Sequence, residues 1–318
     1  MDNIRSKAIV AVKDWGQWKA IIRHKALYML MIPGILYLLI NNYIPMFGII
    51  IAFKNFNYTK GFLGSEWVYF NNFKYLFATG DAFIMTRNTL GYNAVFIIVN
   101  LFLSLAMALL LNEVRQNFAK RFYQTTLLLP FFLSMVVVAY LVYALLNPAS
   151  GLVNMSILKP LGIEPVSWYL ETKYWPYILV IANAWKGVGY GGVIYIAAIT
   201  GIDTEYYEAA TIDGAKKWQQ IRYITMPLLT PVITIMTILS IGRIFYSDFG
   251  LFYQLPMQSG TLLPVVNVID TYVYTSLTTL GDIGMSSAAG LYQSVVGFLL
   301  VLLSNLLVRK ISPENALY

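Results

Sequence analysis

The chain of 318 residues contains no cysteine and only one histidine, His24. The lack of cysteine excludes a disulfide framework, a thiolate metal site and a cysteine nucleophile. A single histidine has no second histidine or cysteine with which to bind a metal. Because His24 directly precedes a long apolar run, we interpret it as an interfacial residue. These counts argue against an enzyme active site in this chain.

Charged residues are also scarce, at 12% of the chain against 58% hydrophobic residues. That charged share is about half of what a soluble protein carries. A soluble core cannot absorb so much apolar surface, so the composition predicts an integral membrane protein. The 24 tyrosines and 7 tryptophans suit the two interfaces between membrane and water.

Six apolar stretches are long enough to cross about 30 Å of hydrocarbon. They are residues 27–53, 88–111, 124–146, 176–200, 228–246 and 288–308. We expect the first stretch to remain as an anchor, because it is too long for a signal sequence and lacks an evident cleavage site. The sequence therefore predicts an all-α membrane protein with six transmembrane helices.

Lysine and arginine are distributed unevenly around these stretches. With the N-terminus in the cytoplasm, 14 of the 22 fall on the cytoplasmic side, six fall outside, and Lys186 and Arg243 fall within the stretches. This bias follows the positive-inside rule and predicts that both termini are cytoplasmic. It also explains the net charge of +7 without a nucleic-acid partner.

We expect residues 1–26 to form a separate cytoplasmic unit ahead of the transmembrane domain, which we assign to residues 27–318. Apolar side chains recur in the first unit at spacings of three and four, with basic residues between them. These apolar residues are Ile4, Ala8, Val12, Trp15, Trp18 and Ile22. The pattern predicts an amphipathic helix lying on membrane lipid at the inner leaflet, with docking to a partner protein as the alternative.

The predicted outer segments, residues 53–87, 147–175 and 247–287, are rich in aromatic residues. Such surfaces either receive a partner protein or pack against the membrane interface. Residues 265–274 are too short and too polar to span. We expect them to form a helix that lies on the outer face or dips into it.

Residues 201–227, between the fourth and fifth stretches, are more numerous than a plain connector needs. Asp203 or Thr204 can cap the start of a helix, and Gly214 can end it. Pro227 suits the first turn of the next span. The segment therefore predicts a short helix, a sharp turn and a second short helix. It serves either as a docking element or as a pair of helices resting on lipid headgroups.

The spacing in this loop matches a known signature: Glu-Ala-Ala, three residues, Gly, nine residues, Ile, one residue, Leu-Pro. The matching residues are Glu208, Ala209, Ala210, Gly214, Ile224 and Pro227, with Met226 in place of the leucine. The chain therefore resembles the permease subunits of binding-protein-dependent ABC importers. Residues 183–192 and 270–274 resemble the carbohydrate-uptake branch, in particular complex-oligosaccharide permeases of Gram-positive type.

The resemblance implies a type I ABC importer permease fold in the bacterial cytoplasmic membrane. It also implies a coupling helix that sits in a cleft of an ATPase subunit. The implied coupling residues are Glu208, Ala209, Ala210, Asp213, Gly214 and Pro227. The expected partners are a second permease subunit, which we expect to differ from this chain, two ATPase subunits and an extracytoplasmic solute-binding protein.

The chain contains no Gly-x-x-x-x-Gly-Lys-Ser/Thr motif. We therefore expect no cofactor in this chain, and we expect ATP and Mg to be bound by the partner ATPase subunits. The chain itself is expected to be a transporter subunit rather than an enzyme.

Polar residues within membrane spans are costly and usually face a cavity or a partner helix. The candidates for a substrate path are Asn183, Lys186, Tyr190, Arg243, Tyr246 and Asp248. Amides and cations bond sugar hydroxyls, aromatic rings stack on sugar rings, and two cations also suit an acidic glycan. The alternative is that Lys186 and Arg243 snorkel or pair with acidic residues, such as Arg243 with Asp248.

We thus expect the chain to help import an oligosaccharide. Importers of amino acids, peptides, polyamines and glycerol phosphates share the same loop and remain alternatives. A membrane-bound enzyme acting on lipid or glycan is a further alternative, which the single histidine and the lack of cysteine disfavour.

Overall fold

The computed structural model describes residues 24–311, so the predicted amphipathic helix within residues 1–26 lies almost wholly outside the described residues. Within that range the chain is predominantly helical. One small antiparallel sheet joins β1 (Lys54–Asn55) to β2 (Glu66–Trp67), and Lys54 pairs with Trp67 in its register.

Thirteen helices follow one another in the described part of the chain. They are α1 (Lys25–Phe53), α2 (Gly61–Gly64), α3 (Asn71–Ala78), α4 (Asp81–Asn112), α5 (Asn117–Phe132), α6 (Met135–Leu146), α7 (Trp175–Thr200), α8 (Thr204–Ile212), α9 (Lys217–Ile241), α10 (Phe249–Gln254), α11 (Leu263–Val266), α12 (Ile269–Thr278) and α13 (Ile283–Ile311). Shorter turns of 3-10 helix occupy Thr172–Tyr174 and Gly260–Leu262, and α1 ends in 3-10 geometry over Phe47–Phe53.

Among the described residues, four helices are both long and apolar enough to cross a membrane: α1, α4, α9 and α13. A fifth span exists if α5 and α6 together count as one. The fourth predicted span corresponds to α7, whose 26 residues measure about 39 Å along the axis. This helix is not among the four, because Asn183, Lys186 and several glycines interrupt its apolar residues, so only its length supports a crossing.

The stretch predicted to span over residues 124–146 is not one straight helix, because the structure bends by 98° between α5 and α6. Leu133 and Ser134 have extended backbone conformations, which end one helix and begin the next. The Ser134 hydroxyl accepts a hydrogen bond from the Val137 amide over 3.4 Å, so Ser134 caps α6. A polar cap of this kind inside an apolar run is a weak sequence signal.

Every π-helical turn among the described residues ends two residues before a proline. Proline lacks a backbone N–H, and its ring crowds the carbonyl four residues earlier. A wider π turn accommodates that defect without ending the helix. The pairs are Leu39–Tyr43 with Pro45, Val153–Leu158 with Pro160, and Ile221–Thr225 with Pro227.

Glycines bring α7 into close contact with both α4 and α5. A Cβ added at Gly191 would lie 2.4 Å from the Ser104 hydroxyl oxygen of α4. A Cβ added at Gly189 would lie 2.0 Å from the Leu127 carbonyl oxygen of α5. The run of glycines in residues 187–192 therefore allows α7 to pack between its two neighbours, where larger residues would hold the backbones apart.

A buried cluster of large side chains joins α4, α6, α7, α10 and α11. This cluster includes Trp175, Leu179, Leu251, Leu255, Leu262 and Val268. The predicted helix over residues 265–274 is interrupted here, because α11 ends at Val266 and α12 begins at Ile269. Asn267 and Val268 between them are extended, and the Asn88 amide of α4 donates to the Asn267 carbonyl oxygen over 2.9 Å.

The apolar helix α1 is almost entirely exposed, and Ala52 is its one buried residue. The segment that follows α1 is anchored by the buried Lys54, whose ammonium group donates to the carbonyl oxygens of Phe62 and Leu63 over 3.1 and 3.0 Å. Large apolar surfaces such as α1 require lipid or another chain to cover them.

Candidate functional site

A cavity of about 480 Å³ opens between α4, α7, α9 and residues 242–248. Its volume lies within the range of sites for small molecules. Five of the six residues predicted to line a substrate path lie on its wall. They are Asn183, Tyr190, Arg243, Tyr246 and Asp248.

Asparagine amides connect the elements that surround this cavity. The Asn100 amide donates to the Asn183 side-chain oxygen over 2.8 Å, which joins α4 to α7. The Asn93 amide donates to the carbonyl oxygens of Ile244 and Tyr246 over 2.9 and 3.1 Å. Asn93 was missed by the sequence prediction, although its spacing of seven from Asn100 places both on one face of a helix.

The segment after α9 is a turn rather than a continued helix. The prediction of a span over residues 228–246 is therefore too long, since α9 ends at Ile241. Arg243 and Tyr246, which that span would have included, lie beyond the end of α9. The turn instead directs Arg243, Tyr246 and Asp248 to the cavity, and the Ser247 amide fixes it by donating to Asp270 over 2.8 Å.

Arg243 is exposed at the cavity wall, and its guanidinium forms no ion pair or hydrogen bond with the part of the chain that the structure describes. The alternative pairing of Arg243 with Asp248 is not formed. Asp248 instead caps α10, because its carboxylate accepts a hydrogen bond from the Leu251 amide over 3.1 Å. The cavity therefore presents a cation without a carboxylate partner.

Lys186 is the one predicted path residue that lies outside the cavity lining. Its ammonium group donates to the carbonyl oxygens of Phe131, over 3.0 Å, and of Leu133. Those carbonyls belong to the break between α5 and α6. The Phe131 ring also stacks on Tyr190, with ring centres 4.6 Å apart, and Tyr190 lines the cavity. The cavity wall is thus in direct contact with the break.

The loop over residues 201–227 begins with the predicted helix, α8. The Asp203 carboxylate caps it by accepting from the Glu205 amide over 3.0 Å. At its end, the Ala215 amide donates to the Ala210 carbonyl and the Gly214 amide to the Thr211 carbonyl, over 2.9 and 3.1 Å. This is a Schellman motif, and Gly214 has the left-handed φ of +78° that it requires.

The second predicted short helix is not a separate element. Lys217–Gln220 runs directly into α9 through the π turn, so Pro227 lies within α9 rather than at the start of a span. The wider π turn preceding Pro227 keeps the helix continuous, which is the physical reason for the difference.

Hydrogen bonds between side chains of α8 and α9 hold the two helices of the loop together. The Tyr207 hydroxyl lies 2.9 Å from the Thr225 hydroxyl, and the buried Gln220 amide donates to the Thr211 hydroxyl over 2.9 Å. The exposed surface of this loop carries most of the predicted coupling residues. Glu208, Ala209, Asp213, Gly214 and Pro227 are exposed, whereas Ala210 is partly buried. The neighbouring Ile212 side chain is 87% exposed.

Between residues 24 and 311, no three histidine, cysteine, aspartate or glutamate side chains come together in a group that could hold a metal ion. A helical protein with several apolar spans, a polar cavity among them and a folded surface loop has the organisation of a solute permease.

The chain belongs to the family described as binding-protein-dependent transport system inner membrane component, whose model matches residues 100–313. It is therefore a membrane permease of this transport class, and the family resemblance read from the loop is confirmed.

Two relatives from Bacillus subtilis (strain 168) match nearly the whole chain. The polygalacturonan/rhamnogalacturonan transport system permease protein YteP is 37% identical, over 93% of this chain and 91% of that protein. Protein LplB is 36% identical, over 96% of each. Among solved structures, a bacterial ABC transporter involved in the import of the acidic polysaccharide alginate is 32% identical. The structural match covers 93% of this chain and 99% of the alginate transporter's chain, with a TM-score of 0.84.

Proposed function

We propose that this permease subunit carries an oligosaccharide that bears carboxylate groups across the bacterial cytoplasmic membrane. The observation that carries the proposal is the exposed guanidinium of Arg243, which has no acidic partner among the described residues. Arginine binds carboxylates through charge-assisted hydrogen bonds. Amides and hydroxyls elsewhere on the cavity wall suit the hydroxyl groups of a sugar.

The relatives support this cargo. One is named for polygalacturonan and rhamnogalacturonan transport, and the solved transporter imports alginate, an acidic polysaccharide. Arg243 also suits a phosphate, and a more distant relative, 28% identical, transports sn-glycerol 3-phosphate. Glycerol 3-phosphate is therefore the competing cargo to test.

The complete importer, reconstituted in proteoliposomes with its binding protein, tests the cargo. We expect uptake of trigalacturonate and no inhibition by glycerol 3-phosphate. Replacing Arg243 with Gln is expected to lower kcat/KM for trigalacturonate by about 10- to 100-fold, the value of one hydrogen bond to a charged group. The matched control is Lys159→Gln, which removes an exposed cation outside the cavity. Uptake of neutral trisaccharides in preference to trigalacturonate would contradict the proposal.

We propose that α7 is the sixth transmembrane helix and that both termini are cytoplasmic. Its polar residues face the cavity or the break rather than lipid, which supports a crossing despite its lower hydropathy. Because the chain has no cysteine, single cysteines can be labelled without background. A reagent confined to the outside is expected to label Ser150→Cys and to spare Ile212→Cys. Equal labelling of both would place the two ends of α7 on one side.

The remaining proposals concern the partners. Glu208 and the exposed surface of α8 contact a separate ATPase subunit. That subunit binds ATP and Mg. This chain itself carries no cofactor and catalyses no reaction. Two ATPase subunits, a second, different permease and an extracytoplasmic binding protein complete the importer. The binding protein is supported by a solved alginate transporter in complex with a periplasmic protein that holds an alginate pentasaccharide. That transporter chain is 31% identical over 93% of this chain, with a TM-score of 0.83.

A further inference from the structure

Three aromatic rings from α10 and α12 lie against one another. Phe249 and Tyr253 are stacked, with ring centres 4.9 Å apart and planes 16° apart. Tyr274 meets both rings edge-on, at 4.8 Å from Phe249 and 5.0 Å from Tyr253. We call these three residues the aromatic platform.

The platform directly follows the cavity wall along the chain. Phe249 directly follows Asp248, which lines the cavity wall. The hydrogen bond from the Ser247 amide to Asp270 fixes the chain just before Phe249 and joins it to α12, the helix that carries Tyr274. The side chain of Tyr274 remains 39% exposed. The chain therefore leads from the cavity wall directly to these rings.

A strained loop supports Tyr253. Met257 and Gln258 both have left-handed backbones, with φ of 50° and 54°, a conformation that non-glycine residues rarely adopt. The Gln258 amide donates to the Tyr253 hydroxyl over 2.8 Å, which holds the ring in place. Strain of this kind is retained where the surrounding structure requires it, and it clusters at ligand sites.

We propose that the aromatic platform is an outer subsite that stacks sugar rings of a chain already engaged in the cavity. This rests on the proposed oligosaccharide cargo. The faces of aromatic rings are electronegative and attract the polarised C–H groups on a sugar face. Stacking of this kind leaves carboxylates and hydroxyls in water, so it holds an acidic sugar without a second cation. It predicts a preference for long oligosaccharides over short ones.

The test measures uptake of digalacturonate and pentagalacturonate by the complete importer in proteoliposomes. Replacing Tyr274 with Leu keeps an apolar side chain but removes the ring. We expect KM for the pentamer to rise about three- to tenfold, the range that one aromatic contact contributes, with KM for the dimer within about twofold of wild type. The matched control is Tyr274→Phe, which keeps the ring and is expected to behave as wild type.

Equal KM changes for dimer and pentamer in Tyr274→Leu would overturn the outer subsite, and so would a loss in Tyr274→Phe as large as in Tyr274→Leu. Hydroxyl-radical labelling of the wild-type importer provides a measurement independent of folding in the variants. The pentamer is expected to protect Tyr274 and the dimer to leave it labelled, whereas equal labelling with both contradicts the proposal. A wild-type importer that transports neither probe would overturn the proposed cargo itself, and the platform with it.

Discussion

Lys186 donates a hydrogen bond from its ammonium group to the carbonyl oxygen of Phe131 over 3.0 Å, at the end of α5. A helix end inside a membrane leaves carbonyls without amide partners, and each is costly in a medium that offers no water. The lysine supplies a positive charge at the negative end of the helix dipole. A cation that the sequence assigns to the substrate path thus stabilises the break between α5 and α6 in this structure.

Replacing Lys186 with Met is therefore expected to destabilise the protein. Hydrogen bonds to a charged group contribute about 1.5–3 kcal/mol each, so we expect a clear fall in the Tm of the purified complex. Lys186→Arg keeps donors within reach of the break and serves as the control, with a smaller fall. An unchanged Tm together with a raised KM for cargo would instead support the substrate-path role of Lys186.

Glu208 is exposed on α8, within the loop signature. Reversing its charge with Glu208→Lys is expected to abolish the stimulation of ATPase activity by cargo-loaded binding protein, because the helix surface that we propose contacts the ATPase changes sign. Glu205→Lys makes the same change one turn earlier on the same helix, outside the signature, and is expected to retain stimulation. Full stimulation in an intact Glu208→Lys complex would refute the coupling role.

Gly214 ends α8 with a left-handed backbone, at φ of +78°. An alanine there places a Cβ in a conformation that costs about 1–2 kcal/mol, and we expect Gly214→Ala to lower the Tm of the complex. Gly260→Ala is the control, because Gly260 has an ordinary φ and a Cβ there meets no atom within 4 Å. Equal Tm values for the two variants would show that the Schellman turn is not needed for stability.

Gly189 packs its backbone against the carbonyl of Leu127, and an added Cβ would approach that oxygen to 2.0 Å. Since the obstacle is backbone, α7 and α5 must separate. We expect Gly189→Ala to cost about 1–3 kcal/mol, as overpacking does elsewhere. Gly290→Ala in α13 meets no atom within 4 Å and is expected to be neutral or slightly stabilising. Thermal unfolding of both variants measures the difference, and a neutral Gly189→Ala would contradict this packing.

Local chemistry made the first helix and turn of the loop over residues 201–227 predictable. Asp203 and Gly214 act on atoms within a few residues of themselves, one as a cap and the other through its backbone freedom, so a single sequence contains both signals. The cavity was predictable in part for another reason. Polar residues are rare in spans, and five of the six predicted path residues lie on its wall, although α9 ends before Arg243 and Tyr246, which the predicted span included.

The sequence by itself determined the class of the protein, through its apolar runs, its uneven Lys and Arg, and the spacing from Glu208 to Pro227. Only the tertiary structure decided what the polar residues in the spans contact. The partner of Asn183 lies 83 residues away, at Asn100, and the partner of Lys186 lies 55 residues away, at Phe131. Such contacts depend on which helices pack together, and helix packing depends on the whole chain rather than on a local pattern.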